Sequence, residues 1–126
     1  MRSGRGIGAL AAAILVVACG CASSPSASKQ ASAQLKFGTR VARLGYWQEA
    51  RFRFEHAVAF DPGNARAHNN LAVALEAVGE FGAAFDEYKK AVSLDAKDRP
   101  IQQNYTRFAE FYSAYTKRVG KVSPAP

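Results

Sequence analysis

The sequence predicts an all-α fold: an α-solenoid of two helical hairpins closed by a C-terminal capping helix. Three observations carry that expectation. Small and aromatic residues return at an interval of 34 residues: Ala50 and Ala84, Ala57 and Ala91, Gly45 and Gly79, Trp47 and Phe81, Phe54 and Tyr88, Asp61 and Asp95. Beyond the second unit, Ile101, Tyr105, Phe108, Tyr112, Tyr115 and Val119 are spaced 4, 3, 4, 3 and 4, which is one face of a helix. Both cysteines, Cys19 and Cys21, lie ahead of this region, so neither a disulfide framework nor a thiolate metal site holds it.

At 126 residues the chain has room for one domain, and its first 18 residues read as a leader. Arg2 and Arg5 make a positive start, and Ile7 to Val17 is an apolar run. That run is too short for a bilayer span, which needs roughly 20 residues, but it suits a signal peptide. Val16-Val17-Ala18-Cys19 follows, and Ala18-Cys19-Gly20-Cys21 overlaps it. These residues resemble the lipobox of bacterial lipoproteins, a short apolar triplet ending in Ala or Gly before a cysteine. The resemblance implies cleavage after residue 18 and a lipid on the Cys19 thiol, with Cys21 as the alternative. Residues 19–33 are rich in Ala and Ser, a composition expected to form a flexible tether.

Residues 34–119 should form the folded domain, with repeats over about 31–64 and 65–98. Each unit reads as helix A, a glycine turn, helix B and a polar break. Alanine at 50, 57, 84 and 91 lets paired helices approach, and Phe37, Phe54, Leu71, Leu75, Phe81 and Tyr88 fill the space between them. Gly45 and Gly79 suit the left-handed residue that ends a helix. Asp61-Pro62-Gly63-Asn64 stops helix B, and Asn64 can cap the next helix. The pattern resembles the tetratricopeptide repeat. Leu71-Ala72 stands where that family has Leu-Gly, and Phe37-Gly38 occupies the same place in the first unit. The family's tryptophan near the start of helix A is replaced by Gln34 and His68, and Pro62 has no counterpart at Ala96. Two units leave an open flank, because stacked repeats need about three for a continuous core. The capping helix, about 99–118, is expected to close it, with Asp98 as N-cap and Pro100 in the first turn. Phe111 lies off its apolar stripe and is expected at the surface, and residues 120–126 should be a loose tail.

The chain lacks the groups that catalysis requires. It carries only two histidines, His56 and His68, and no His-x-x-x-His, Cys-x-x-Cys, phosphate loop or nucleophile motif. His56 reads as a surface residue and His68 as a packed one. No enzyme activity, cofactor or metal is expected.

Binding is the expected function. The repeat resemblance implies a concave surface made by the A helices, carrying Ser32, Leu35, Lys36, Thr39 and Arg43 from the first unit. The second would add Arg66, Asn69, Asn70 and Val73, and the capping helix Gln103, Asn104, Arg107 and Glu110. Asparagine can hydrogen-bond a peptide backbone, and arginine grips carboxylates bidentately. The family's carboxylate clamp is matched only at Asn70, since Leu35 and Thr39 replace its first Lys and Asn. Charge is unevenly spread: from Lys29 to Arg53 six basic residues face one acid, and from Glu76 to Asp98 six acids face three lysines. From Arg99 to Lys121 five basic residues face one acid. Without Arg2 and Arg5 there are 15 Lys/Arg against 10 Asp/Glu, a net charge of about +5. The expected partner is another protein or peptide segment, with the membrane engaged through the lipid. Secretion argues against nucleic acid, as does the lack of aromatics among the basic positions of the first unit. The expectation is an adaptor or assembly factor of the bacterial cell envelope. Gly20 or Ala22 after the cysteine points to the outer membrane, facing the periplasm. A homo-oligomer pairing through exposed stack ends and a soluble secreted binding module remain the alternatives.

Overall fold

The computed structural model describes residues 24–120. Five helices follow one another: α1 (Pro25–Arg43), α2 (Trp47–Phe60), α3 (Ala65–Ala77), α4 (Phe81–Leu94) and α5 (Arg99–Val119). They pack as hairpins in chain order, with α3 also touching α1 and α5. The leader, Cys19, Cys21 and the end of the tail lie outside the described residues. Among the described residues, no helix is long and apolar enough to cross a membrane.

The two hairpins repeat to the residue. α2 and α4 start and stop 34 positions apart, and Gly45 and Gly79 end the preceding helices at φ 83° and 82°. At each turn the glycine N–H donates three residues back and the next N–H five residues back: Gly45 to Ala42 and Tyr46 to Val41, then Gly79 to Glu76 and Glu80 to Leu75. These bonds satisfy carbonyls that a helix end leaves open, and the positive φ is why glycine stands there. Asn64 and Asp98 cap α3 and α5 by accepting from the N–H of Ala67 and Ile101, both at 3.1 Å.

The core forms where helices meet through small residues. Ala50, Ala57, Ala84 and Ala91 have no exposed surface, and neither do Tyr88 and Phe108. Gly38 lets α1 approach α2 most closely: a Cβ there would sit 2.5 Å from the Phe54 ring.

The structure corrects two expectations. The stretch expected as a tether is helical from Pro25 onward. Ser24 accepts from the N–H of Ala27, Pro25 sits in the first turn where its missing N–H costs nothing, and Ala31 is fully buried. Helix α1 therefore reaches back to within a few residues of both candidate cysteines. The aromatic stripe of α5 is also less covered than its spacing suggests. Ile101 and Phe108 are buried and Tyr105 and Tyr112 half-buried, but Tyr115 and Val119 are exposed. At 21 residues against 14, α5 outruns its neighbour α4. Phe111 is exposed, as its position off the stripe implies, and meets Phe81 edge-on at 5.1 Å.

Candidate functional site: a basic-rimmed groove between the hairpins

Where α1, α2 and α3 converge the surface opens into a groove of about 370 Å³ lined by Thr39, Ala42, Arg43, Trp47, Phe54, Asn70 and Val73. Trp47 and Phe54 come from α2, at the positions that pack each hairpin. A second hollow of about 520 Å³ shares Thr39, Arg43 and Asn70 with it and adds Ser32, Leu35, Lys36, Arg40 and Arg66. No carboxylate lines either hollow. The nearest is Asp98, 3.7 Å from Arg66 at the far end. The site is thus an apolar floor with a cationic rim.

Six of the residues expected at a binding surface come together here: Lys36, Thr39, Arg43, Arg66, Asn70 and Val73. The others do not join them. Arg107 is committed to Glu76 by two parallel hydrogen bonds of 2.8 and 2.9 Å. The Tyr88 hydroxyl donates to the same carboxylate at 2.9 Å. The Arg107 bonds, and then that of Tyr88, outweigh partial burial and hold the Glu76 carboxyl below its ordinary value. Asn69 is buried and internal: it accepts from Asn104 at 3.0 Å and donates to Asn70 at 3.3 Å. That chain occupies the Asn70 carbonyl and leaves its N–H donors for the groove. Gln103 lies apart with Arg107 and Glu110, along an outer hollow on α5. Trp47, Phe54 and Ala42 were not expected at the site, because their spacing marks them as packing positions.

The histidines divide as their positions suggest. His56 is exposed and meets Phe52 edge-on at 4.4 Å. His68 is buried between two acceptors, with Nδ1 2.6 Å from the Glu87 carboxylate and Nε2 2.7 Å from the Pro62 carbonyl. A ring facing two acceptors is satisfied best when both nitrogens carry protons. The Glu87 bond, helped by the Pro62 carbonyl, accordingly raises the imidazole above its ordinary value against the cost of burial. Burial by itself would raise the Glu87 carboxyl, but His68 and Lys90 together hold it low. Glu87 and His68 are a structural tie between α3, α4 and the loop ahead of α3.

Comparison with known proteins agrees with this geometry. The tetratricopeptide repeat family matches residues 54–86, from the middle of α2 through α3 into α4. Among solved structures, the second TPR of Spaghetti (RPAP3) bound to the HSP90 peptide SRMEEVD superposes with a TM-score of 0.65 at 19% identity, covering 71% of this chain and 82% of that one. The Arabidopsis OM64 TPR domain gives a TM-score of 0.65 at 19% identity, over 71% of this chain and 74% of that one. At such identities the likeness is one of fold. The class these findings define is the tetratricopeptide repeat protein, a protein–protein interaction module, and such domains are typically non-catalytic.

Among curated proteins the chain is similar to the type IV pilus assembly protein PilF of Pseudomonas aeruginosa, 30% identical over 76 residues, or 60% of this chain and 30% of that protein. It is also similar to the inactive TPR repeat-containing thioredoxin TTL3 of Arabidopsis thaliana, 29% identical over 90 residues, or 71% of this chain and 12% of that one. The chain thus spans less than a third of the length of either relative.

Proposed function

We propose that the protein is a lipid-anchored adaptor or assembly factor of the bacterial cell envelope, which holds a segment of another protein in the groove between its hairpins. The observation that carries this reading is the groove itself. An apolar floor of Trp47, Phe54 and Val73 under a rim of Arg43, Arg66 and Lys36 is a poor surface to leave against water and a good one to present to a polypeptide. The likeness to a protein named for pilus assembly supports the assembly role. The lipobox-like sequence at Cys19, with Cys21 as alternative, supports the anchor, and Gly20 or Ala22 behind it supports the outer membrane.

A photo-crosslinking residue placed at Thr39 in cells tests the reading. It should trap a defined envelope protein that the same probe at Ala83, on the exposed side of α4, does not. Identical products from both positions would sink the assignment of the groove. Mass spectrometry of the mature N-terminus should find an acylated cysteine; an unmodified start elsewhere would remove the anchor. A second reading is favoured by Phe111, Tyr115 and Val119, which stay exposed along α5 and offer a second copy an aromatic face. Sedimentation that depends on concentration without any added partner would support it.

A further inference from the structure

The 34-residue register shows what the groove replaces. It aligns Ala42 with Glu76, Phe54 with Tyr88 and Val73 with Arg107. At the second junction, between the α3–α4 hairpin and α5, these positions hold the ion pair of Arg107 and Glu76 closed by the Tyr88 hydroxyl. Alongside them Phe108, fully buried, packs on Tyr88 at 5.1 Å. At the first junction Phe108 has Ala74 as its counterpart. The backbone frame is the same, since helix bounds and turn glycines repeat. Hydrocarbon and small side chains therefore stand where the second junction has a guanidinium, a carboxylate and a phenol. The hollow of about 370 Å³ lies at those positions.

We propose that this recess is a socket for one bulky apolar side chain of a partner segment whose flanking residues are acidic. The proposal rests on the reading of the groove as the partner-binding face and names the chemistry that the face selects. Ala42, Phe54, Val73 and Trp47 offer only hydrocarbon and aromatic surface, so a polar side chain entering there would lose its water with nothing in return. The volume lies within the range of about 300–1,000 Å³ typical of ligand pockets. Around it, Lys36, Arg40, Arg43 and Arg66 have no carboxylate among the lining residues of either hollow. Arg107, the arginine of the second junction, already has its partner; the rim arginines of the first await theirs from outside. Charge complementarity thus selects acidic neighbours on either side of the apolar anchor.

Trp47 lines the recess and is the chain's one tryptophan, so its fluorescence reports occupancy directly. Three blocked peptides of equal length serve as probes against the full-length chain in non-ionic detergent. One has a central leucine among glutamates and aspartates, one has alanine in place of the leucine, and one keeps the leucine among lysines. The acidic leucine peptide should shift the Trp47 emission and bind about tenfold or more tightly than the alanine peptide, and the lysine peptide should not bind. Equal binding of the leucine and alanine peptides, or preference for the lysine peptide, would overturn the proposal. So would failure of all three to bind. In that last case crosslinking from Thr39 decides separately whether the groove binds a protein at all. The triple variant Ala42→Glu, Phe54→Tyr, Val73→Arg transplants the second junction's trio into the first. It should melt no lower than the parent and lose at least tenfold in affinity for the acidic leucine peptide. Undiminished binding by a folded variant would place the ligand elsewhere. The peptide comparison on the parent chain stands even if the variant does not fold.

Discussion

The two hairpins share one register, one turn geometry and the same packing alanines, yet they are not equally built. In α3, residues 67–69, 71, 72, 74 and 75 are buried, whereas in α1 only Ala31 and Gly38 are. The cause is position in the stack. α3 is held between α1 and α2 on one side and α4 and α5 on the other, whereas α1 ends the pile. At its open face Arg53 lies over the Phe37 ring at 4.4 Å and Arg40 at 4.9 Å, so guanidinium groups stand where a further hairpin would pack. Gln34 and Arg53 occupy the places that His68 and Glu87 take in the second unit. A repeat's sequence thus specifies its hairpin, while its neighbours determine how much of it is core.

The severest way to break the comparison is to end the chain at Asp98. Phe108 and Ile101, both essentially buried, would be lost, and the face of Tyr88 and Phe81 would open. Side chains of this kind contribute roughly 1.5–3 kcal/mol each, set against about 5–15 kcal/mol for a whole domain. The expected product is unfolded, aggregated or newly oligomeric by circular dichroism and sedimentation. A monomer melting like the full chain would show that the second hairpin does not need its cap.

Ala84→Leu comes next. Ala84 is fully buried and Ala83 exposed, so the first substitution should cost about 1–3 kcal/mol by overpacking. Ala83→Leu should stay within about 0.5 kcal/mol. Equal shifts in melting temperature would contradict the helix faces described.

Gly38 and Ala72 test the hairpins against each other at one repeat position. A Cβ at Gly38 meets the Phe54 ring at 2.5 and 2.8 Å, so Gly38→Ala must displace that ring and should destabilise by about 1 kcal/mol or more. The reverse change, Ala72→Gly, should cost about 1 kcal/mol through helix propensity alone. Phe54 also lines the groove, so only Gly38→Ala should alter Trp47 fluorescence.

The smallest effect is the pH dependence of the His68 tie. A folded value raised above the unfolded 6.5 means the tie contributes fully below that pH and fades as pH rises through the folded value. Glu87, held below 4.5, has the opposite sign: its contribution is present above that value and fades as pH falls. The gap in melting temperature between the wild type and His68→Gln should therefore be widest between those two values and narrow on the alkaline side. A gap that widens with pH would mean His68 is buried neutral. Glu49, which bonds Arg53 in the first hairpin, provides a control without a histidine.

Much of this molecule is local and could be read without its structure. The hairpins were legible because a turn glycine at 45 and 79, caps at Asn64 and Asp98, and alanines at helical spacing each act over a few residues of backbone. The start of α1 was legible too, in Ser24-Pro25, but the Ala/Ser composition behind that pair reads equally well as a tether. Only burial of Ala31 decides the matter. The candidate site was half legible. Lys36, Thr39, Arg43, Arg66, Asn70 and Val73 share the surface that the repeat register implies. Arg107, Asn69 and Asn104 fit the same pattern but turn inward, because Glu76 and a neighbouring asparagine are within bonding distance once the helices stack. The sequence by itself determined the helices, their turns and the order of their pairing, all of which follow from short-range periodicity. The tertiary structure alone decided which arginines stay free, which stripe positions α5 leaves uncovered and where a groove remains. Those outcomes depend on side-chain volumes and charges meeting across helices far apart in the chain.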